Sequence, residues 1–353
     1  MKVGIIGFSQ SGRSSLYRAA AQGQAKGEVT AVPVPDARFD RIVAQVNPKK
    51  ATPATVMLTD GLDAIQGGGG QKMFSQRFLD EARKADLLIH VVRAFDSTTA
   101  PYYDDVNPMR DLEAVEIEMV LTDLGIIENR LERLKKSTTV KTSGSPDYME
   151  QALFTRIKGP VEDGIPIRDL ELDEEEQKIV KNYQFLSGKQ TVICFNVGED
   201  EASTGNEAIN KKIAELQSKG TQAFYVAATL EEEVAQLDPA DQPEFLADLG
   251  LTEPASNKVI KAVYDALGLI TFFTAGENDT RAWPLRRGSS ALKAAGTIHN
   301  DIAKGFIRAE VVHYSDYDAA GSLDAAYKAN KMTLEGKEYV IQDGDLLHIR
   351  NKS

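Results

Sequence analysis

The sequence predicts an α/β fold: a mostly parallel sheet with helices on both faces, interrupted by a helical hairpin and followed by a small α+β unit. Three observations predict it. Short apolar runs at 2–6, 56–59, 87–95, 191–196 and 223–228 alternate with helix-forming segments, as expected of strands buried on both faces and joined by crossover helices. Between the runs at 87–95 and 191–196 lies a long stretch with apolar residues three and four apart. After about residue 268 the texture turns to short β-prone pieces around limited helix.

In chain order, KVGII (2–6) is a strand, GFSQSGR a glycine-containing loop and SSLYRAAAQ a helix former. KMFSQRFLDEARKA and NEAINKKIAELQSKG supply helices between the later strands. Ile117, Val120, Leu124, Ile127, Leu131 and Leu134 form one apolar seam along a helix. STTVKTSGSPD breaks it, and helix resumes at YMEQALFTRI and DEEEQKIVKNYQFLS, which reads as an antiparallel hairpin whose seam packs internally or meets a partner. The C-terminal pieces are ITFFTAG, GFIRAEVVHY and EYVIQDGDLLHIR, the last with an Asp-Gly pair suited to a tight turn. GGGG at 67–70 reads as a flexible loop, and no internal repeat is present.

With 353 residues, 42% hydrophobic and 27% charged, the chain fits two or three soluble globular units. No apolar run approaches the roughly eighteen residues that span a bilayer. The start, MKVGIIGFSQ, is a strand without the features of a secretory signal, so a cytoplasmic location is expected. The single cysteine, Cys194, lies in the apolar run TVICF and reads as a buried strand residue rather than a nucleophile. A net charge of −12 argues against non-specific binding to DNA. RAWPLRRG, with Arg281, Arg286 and Arg287 around Trp283, reads either as a local phosphate and base contact or as a solvated turn with a packed Trp. No His/Cys spacing suits zinc, and four scattered histidines support no Ser-His-Asp arrangement.

Ligands of such sheets sit at the carboxyl ends of the strands. There the sequence reads Gly7-Phe8-Ser9-Gln10-Ser11-Gly12-Arg13-Ser14, the spacing of the phosphate-binding loop G-x4-G-K-[ST] with Arg13 in place of lysine. Backbone N–H groups of such a loop wrap phosphates at a helix N-terminus, so Gly7, Gln10, Ser11, Gly12, Arg13, Ser14 and Ser15 are candidate phosphate contacts. The Ser14 hydroxyl, at the last position of the loop, is a candidate Mg²⁺ ligand. A guanidinium is not a drop-in substitute for an ammonium. Asn196-Val197-Gly198-Glu199 ends the TVICF strand where GTPases place N-K-x-D, making Asn196, Val197 and Glu199 candidate base readers. Glu199 is one methylene longer than the usual Asp, which misaligns it with guanine. Ala228 and Thr229, where the 223–228 run ends, stand where the chain closes over a base.

VPVPDARFDRI (32–42), ADLLIHVVRAF (85–95), NPMRDLEAVEIEM (107–119), FNVGED (195–200), ITFFTAG, RAWPLRRGSSALKAAGTIHNDIAKGFIRAEVV and EYVIQDGDLLHIR resemble stretches of the YchF/Obg-like ATPases, and the resemblance runs end to end. It implies a P-loop G domain at 1–107 and 189–268, a coiled-coil insertion at 108–188 and a ubiquitin-like TGS domain at 269–353. It also implies a purine nucleotide, ATP preferred over or alongside GTP, with Mg²⁺ and a ribosome or RNA partner reached through the TGS domain. His299, Asp301 and Phe306 belong to the resembled TGS pattern and read as structural.

Three departures cluster at the phosphates. Arg13 replaces lysine; the segment before VPVPD is shortened to AQGQAKGEVTA, with Thr30 its one threonine; and Asp60-Gly61-Leu62 stands where the family reads D-I-A-G-L. The resemblance implies that the Asp of D-x-x-G, here Asp60, completes the Mg²⁺ site with Ser14 and that the glycine N–H meets the γ-phosphate, so the altered spacing predicts weak hydrolysis. Two functions follow: a slow ATPase or GTPase linked to translation or stress, or a non-hydrolysing scaffold that binds ribosome or RNA through the TGS domain.

Overall fold

All five apolar runs become strands of one sheet. The computed structural model describes residues 1–22, 25, 27–67, 73–137, 142–238 and 240–352. The expectation for GGGG therefore falls largely outside the described residues, as do parts of the shortened segment and of the STTVKTSGSPD break. The chain begins β1 (Lys2–Ile6), α1 (Arg13–Ala20), β2 (Val29–Pro33), α2 (Ala37–Val46), β3 (Ala51–Thr52), β4 (Thr55–Thr59), α3 (Gln76–Lys84) and β5 (Leu87–Ala94). The insertion follows as α4 (Pro108–Lys135), α5 (Pro146–Glu162) and α6 (Glu174–Tyr183). Then come β6 (Gln190–Val197), α7 (Glu207–Ser218), β7 (Ala223–Val226), α8 (Ala228–Gln236), α9 (Gln242–Asp248) and α10 (Ala255–Leu267). The chain closes with β8 (Leu269–Thr274), β9 (Thr280–Arg286), α11 (Ala291–Ile298), α12 (Asn300–Lys304), β10 (Phe306–His313), α13 (Tyr314–Ala320), α14 (Leu323–Lys328), β11 (Thr333–Glu335) and β12 (Asp345–Asn351).

The first sheet has the order β2-β4-β1-β5-β6-β7. β1 runs parallel to β4 and β5, and β6 parallel to β5 and β7. Its register places Ile6, Leu88, Val92, Ile193 and Phe195 on one face and Ile5, Leu87, Ile89, Val91, Val192 and Cys194 on the other. All are buried, which explains continuous apolar runs instead of alternation. Cys194 is fully buried, as expected of a strand residue.

The insertion is a helical hairpin with its own core. Val120 and Ile127 of α4 pack with Leu153, Phe154 and Ile157 of α5 and with Phe185, while Leu124 and Leu131 pack partly buried beside them. Ile117, expected in the same seam, is exposed instead. At that level α4 turns Val115 and Met119 onto Phe78 and Leu88, and a residue two positions from each lies on the opposite side of a helix of 3.6 residues per turn. Asp123, a charge inside the seam, is buried and accepts from Leu186 N–H (3.0 Å), Ser187 N–H (2.7 Å) and Ser187 Oγ (2.7 Å). Burial pushes its carboxyl up to about 6 against those three donors.

Two compact units emerge: Met1–Thr30 with Met57–Val259, and Ala31–Val56 with Ile260–Ser353. The sequence boundaries assign 31–56 to the first domain, whereas packing groups it with the C-terminal residues. Phe39 and Ile42 of α2 share a core with Phe273, Ala282, Val312, Tyr317 and Leu346, and Arg38 pairs with Asp343 at 2.9 Å. β3 extends the second sheet by pairing parallel with β9. That sheet has the order β11-β10-β12-β8-β9-β3, with β8/β9, β10/β11 and β10/β12 antiparallel and β12 parallel to β8. RAWPLRRG lies mostly on a strand, because β9 covers Thr280–Arg286, and only Arg287 and Gly288 form a turn. Trp283 is buried with its Nε1 donating to Thr274 Oγ1, and Arg281 stacks on its ring at 4.0 Å. The packed-Trp alternative therefore holds on a strand. His299 caps α12 by accepting the Asp301 N–H at 3.2 Å while its side chain stays exposed, and Phe306 is buried.

Candidate functional site

The loop between β1 and α1 is shaped by two close approaches. A Cβ on Gly7 would lie 2.5 Å from the Val91 carbonyl oxygen, and one on Gly12 would lie 2.0 Å from Asn196 Nδ2. Gly12 is also left-handed, with φ 91°, which favours glycine. Phe8 bridges Ile65, Ser9 N–H donates to the Ile65 carbonyl and Ile65 N–H to the Gly7 carbonyl, fastening the loop base to the segment after β4.

Asn196 closes the other side. Its Nδ2 donates to the Ser11 carbonyl at 3.0 Å while its Oδ1 accepts the Ala228 N–H at 2.9 Å. One buried amide thus ties the loop to the start of α8. Because the peptide is planar and trans, holding the Ser11 carbonyl aims the Gly12 N–H the opposite way. The first helical bond runs from Leu16 N–H to the Gly12 carbonyl. The N–H groups of Arg13, Ser14 and Ser15 are consequently those a helix leaves without internal acceptors, at its positive end. Such a set can hold an anion.

Ser14 Oγ donates to Asp60 Oδ2 at 2.6 Å, bringing the expected metal pair together. Asp60 Oδ1 and Ser11 Oγ are buried with no hydrogen-bond partner among the described residues. A hydroxyl beside a carboxylate is a hard-oxygen donor set of the kind Mg²⁺ takes. No cluster of three or more His, Cys, Asp or Glu forms a metal site among the described residues.

Arg13 folds back onto the segment after β4. Its Nη1 donates to the Leu62 carbonyl at 2.9 Å and reaches the Asp63 carbonyl at 3.5 Å, and burial lowers its pKa while Asp60 and Asp63 oppose the shift. Gly61 N–H is likewise engaged, donating to Thr59 Oγ1 at 3.2 Å. Tyr17 Oη reaches Thr30 Oγ1 at 2.7 Å and the Gly27 carbonyl at 2.9 Å.

The remaining expected residues divide by exposure. Val197 is buried at the end of β6 and Ala228 at the start of α8, whereas Glu199, in the helical turn Glu199–Glu201, and Thr229 are exposed. Ser15 is half-buried in the first turn of α1, and Gln10 adopts a left-handed φ of 64°. Sequence reasoning missed Arg93. It is buried at the end of β5, donates to the Gln10 and Phe95 carbonyls at 3.0 Å each, and lies over the rings of Phe95 and Tyr102. The signal was present as a single cation inside the apolar run LLIHVVRAF.

Comparison with known proteins places these observations in a family. Residues 269–352 match YchF-GTPase_C, described as a protein of unknown function (DUF933). The chain is 36% identical to "Ribosome-binding ATPase YchF" of Bacillus subtilis over 99% of both chains. It is 35% identical to the protein of that name from Haemophilus influenzae, over 99% of this chain and 98% of that one. It is also similar to the solved structure of the Schizosaccharomyces pombe YchF GTPase, with a TM-score of 0.87 at 29% identity over 99% of this chain and 97% of that one.

Proposed function

The chain belongs to the YchF family, and from that premise we propose that it binds a purine nucleotide, prefers ATP to GTP, hydrolyses it slowly and acts together with the ribosome. The phosphates occupy the N–H cradle of Gly12, Arg13, Ser14 and Ser15, with Gly7, Gln10 and Ser11 shaping it. Asn196, Val197, Glu199, Ala228 and Thr229 flank the base. Mg²⁺ on Ser14 and Asp60, when bound, neutralises phosphate charge. The ATP preference rests on Glu199, whose longer, exposed side chain fits guanine poorly. The observation that carries the reading is the Asn196 bridge, which joins the phosphate cradle to the end of the sheet that reads the base.

Hydrolysis adds a water oxygen to the γ-phosphorus while the bond to the ADP oxygen breaks, and protein groups accelerate it by position and charge. Two groups at the γ-phosphate side, Arg13 and the Gly61 N–H, are engaged within the protein. A lost donor of this kind typically slows such chemistry by about 10²- to 10³-fold. This favours slow turnover and leaves weight on the second reading, a scaffold that reaches ribosome or RNA through its C-terminal domain without hydrolysis. Calorimetric titration with Mg-ATP and Mg-GTP tests the first reading: tighter binding of ATP is expected, and binding of neither at millimolar concentration sinks it. Cosedimentation of the full chain with ribosomes, with and without nucleotide, tests the partner. Pelleting supports it, and a chain left in the supernatant in both conditions opposes it.

A further inference from the structure

Asp111, at the first turn of α4, is fully buried. It accepts from Tyr102 Oη at 2.7 Å, Tyr103 Oη at 2.5 Å and Arg110 Nε at 2.9 Å. Those tyrosines press on the phosphate loop: the Tyr103 ring lies 4.9 Å from Phe8 and the Tyr102 ring meets Phe8 edge-on at 6.4 Å. Gly67 backs the Tyr103 ring so closely that a Cβ there would lie 2.2 Å from it. A second arm runs from the Tyr102 ring to the Arg93 guanidinium at 4.8 Å and on to the Gln10 carbonyl at 3.0 Å. Gln10 is a non-glycine residue in left-handed conformation, which is sterically unfavourable unless held.

We infer that Asp111 and Arg93 are positioning residues for the phosphate loop, acting through Tyr102, Tyr103, Phe8 and Gln10, so that the base of the helical insertion sets the geometry of the cradle. Asp111 fixes where the two rings stand, the rings fix Phe8, and Arg93 holds Gln10. The tyrosine donors persist across the working pH range, because burial and Asp111 push both hydroxyls up, Tyr103 to about 12. None of these side chains needs to touch a nucleotide. The inference rests on the proposed function only for its catalytic meaning; the positioning itself is testable in the free protein.

The test is hydrogen exchange on the full chain without nucleotide, comparing wild type with the double variant Tyr102→Phe/Tyr103→Phe. This variant keeps both rings and cuts both bonds to Asp111. The reporters are the Ser9 and Ser11 amides, bonded to the Ile65 and Phe8 carbonyls, against the β6 amides of 191–195. Loss of two bonds predicts roughly tenfold or faster exchange at the loop with β6 unchanged. Unchanged loop exchange, or equal acceleration of loop and β6, overturns the inference. Tyr103→Phe alone removes one bond and carries the same test at about threefold if the double variant loses its fold. Mg-ATP titration of both proteins is expected to show roughly tenfold weaker binding by the variant. Wild type that binds no Mg-ATP defeats the proposed function while the exchange result still decides the positioning role.

Discussion

The two flanks of the phosphate loop are built differently. On the Asn196 flank one amide shapes the cradle: it holds the Ser11 carbonyl and the Ala228 N–H, and Gly12 fits beneath it. On the Arg13 flank the groups are engaged within the protein, with Arg13 on the Leu62 carbonyl and Gly61 N–H on Thr59 Oγ1. Holding a phosphate and activating it are therefore separable tasks. Under the proposed function the first is served by the Asn196 bridge, and the second depends on groups already engaged.

Breaking the Asn196 flank has the largest expected effect. Gly12→Ala places a methyl about where Asn196 Nδ2 stands and strains a left-handed residue. Mg-ATP affinity measured by calorimetry is expected to fall by roughly 100-fold or more. Asn196→Ala leaves the Ser11 carbonyl and Ala228 N–H without their partner, a loss on the order of 2 kcal/mol or about 30-fold in the same assay. An affinity within about twofold of wild type would break the comparison.

Smaller effects sharpen the other flank. Arg13→Lys frees the Leu62 carbonyl contact and restores a compact ammonium, so single-turnover hydrolysis is expected to rise about tenfold while affinity changes little. Glu199→Asp restores the carboxylate length suited to guanine, and competition titration is expected to shift relative affinity toward GTP by roughly fivefold. An unaltered ATP to GTP ratio would remove Glu199 from base selection.

Much of this was legible in the sequence because burial on both faces writes itself as continuous apolar runs, and every strand carrying the candidate site came from such a run. The cradle was legible from glycine spacing, since Gly12 must be small where Asn196 approaches. Side-chain direction was not: nothing in SGRSS tells that Arg13 folds back onto the Leu62 carbonyl. β9 was hidden by Arg, Pro and Trp in TRAWPLR, whose fit depends on Phe272 stacking against Trp283 and on the partner strand β8. The association of α2 with the C-terminal core was hidden because an amphipathic helix announces an apolar face without naming what covers it. Arg93 and Asp123 were hidden for a related reason, as their burial depends on acceptors and donors distant in sequence.

The difference between the flanks is tested most directly by the ratio of ADP to ATP affinity, measured by calorimetry with Mg²⁺ and a non-hydrolysable ATP analogue. If the Asn196 flank holds the phosphates while Arg13 and Gly61 remain engaged within the protein, the γ-phosphate adds little. The two affinities are then expected to agree within about threefold, or under 0.7 kcal/mol. An ATP analogue bound tenfold or more tightly than ADP would contradict the account, because the γ side would then be contributing strongly.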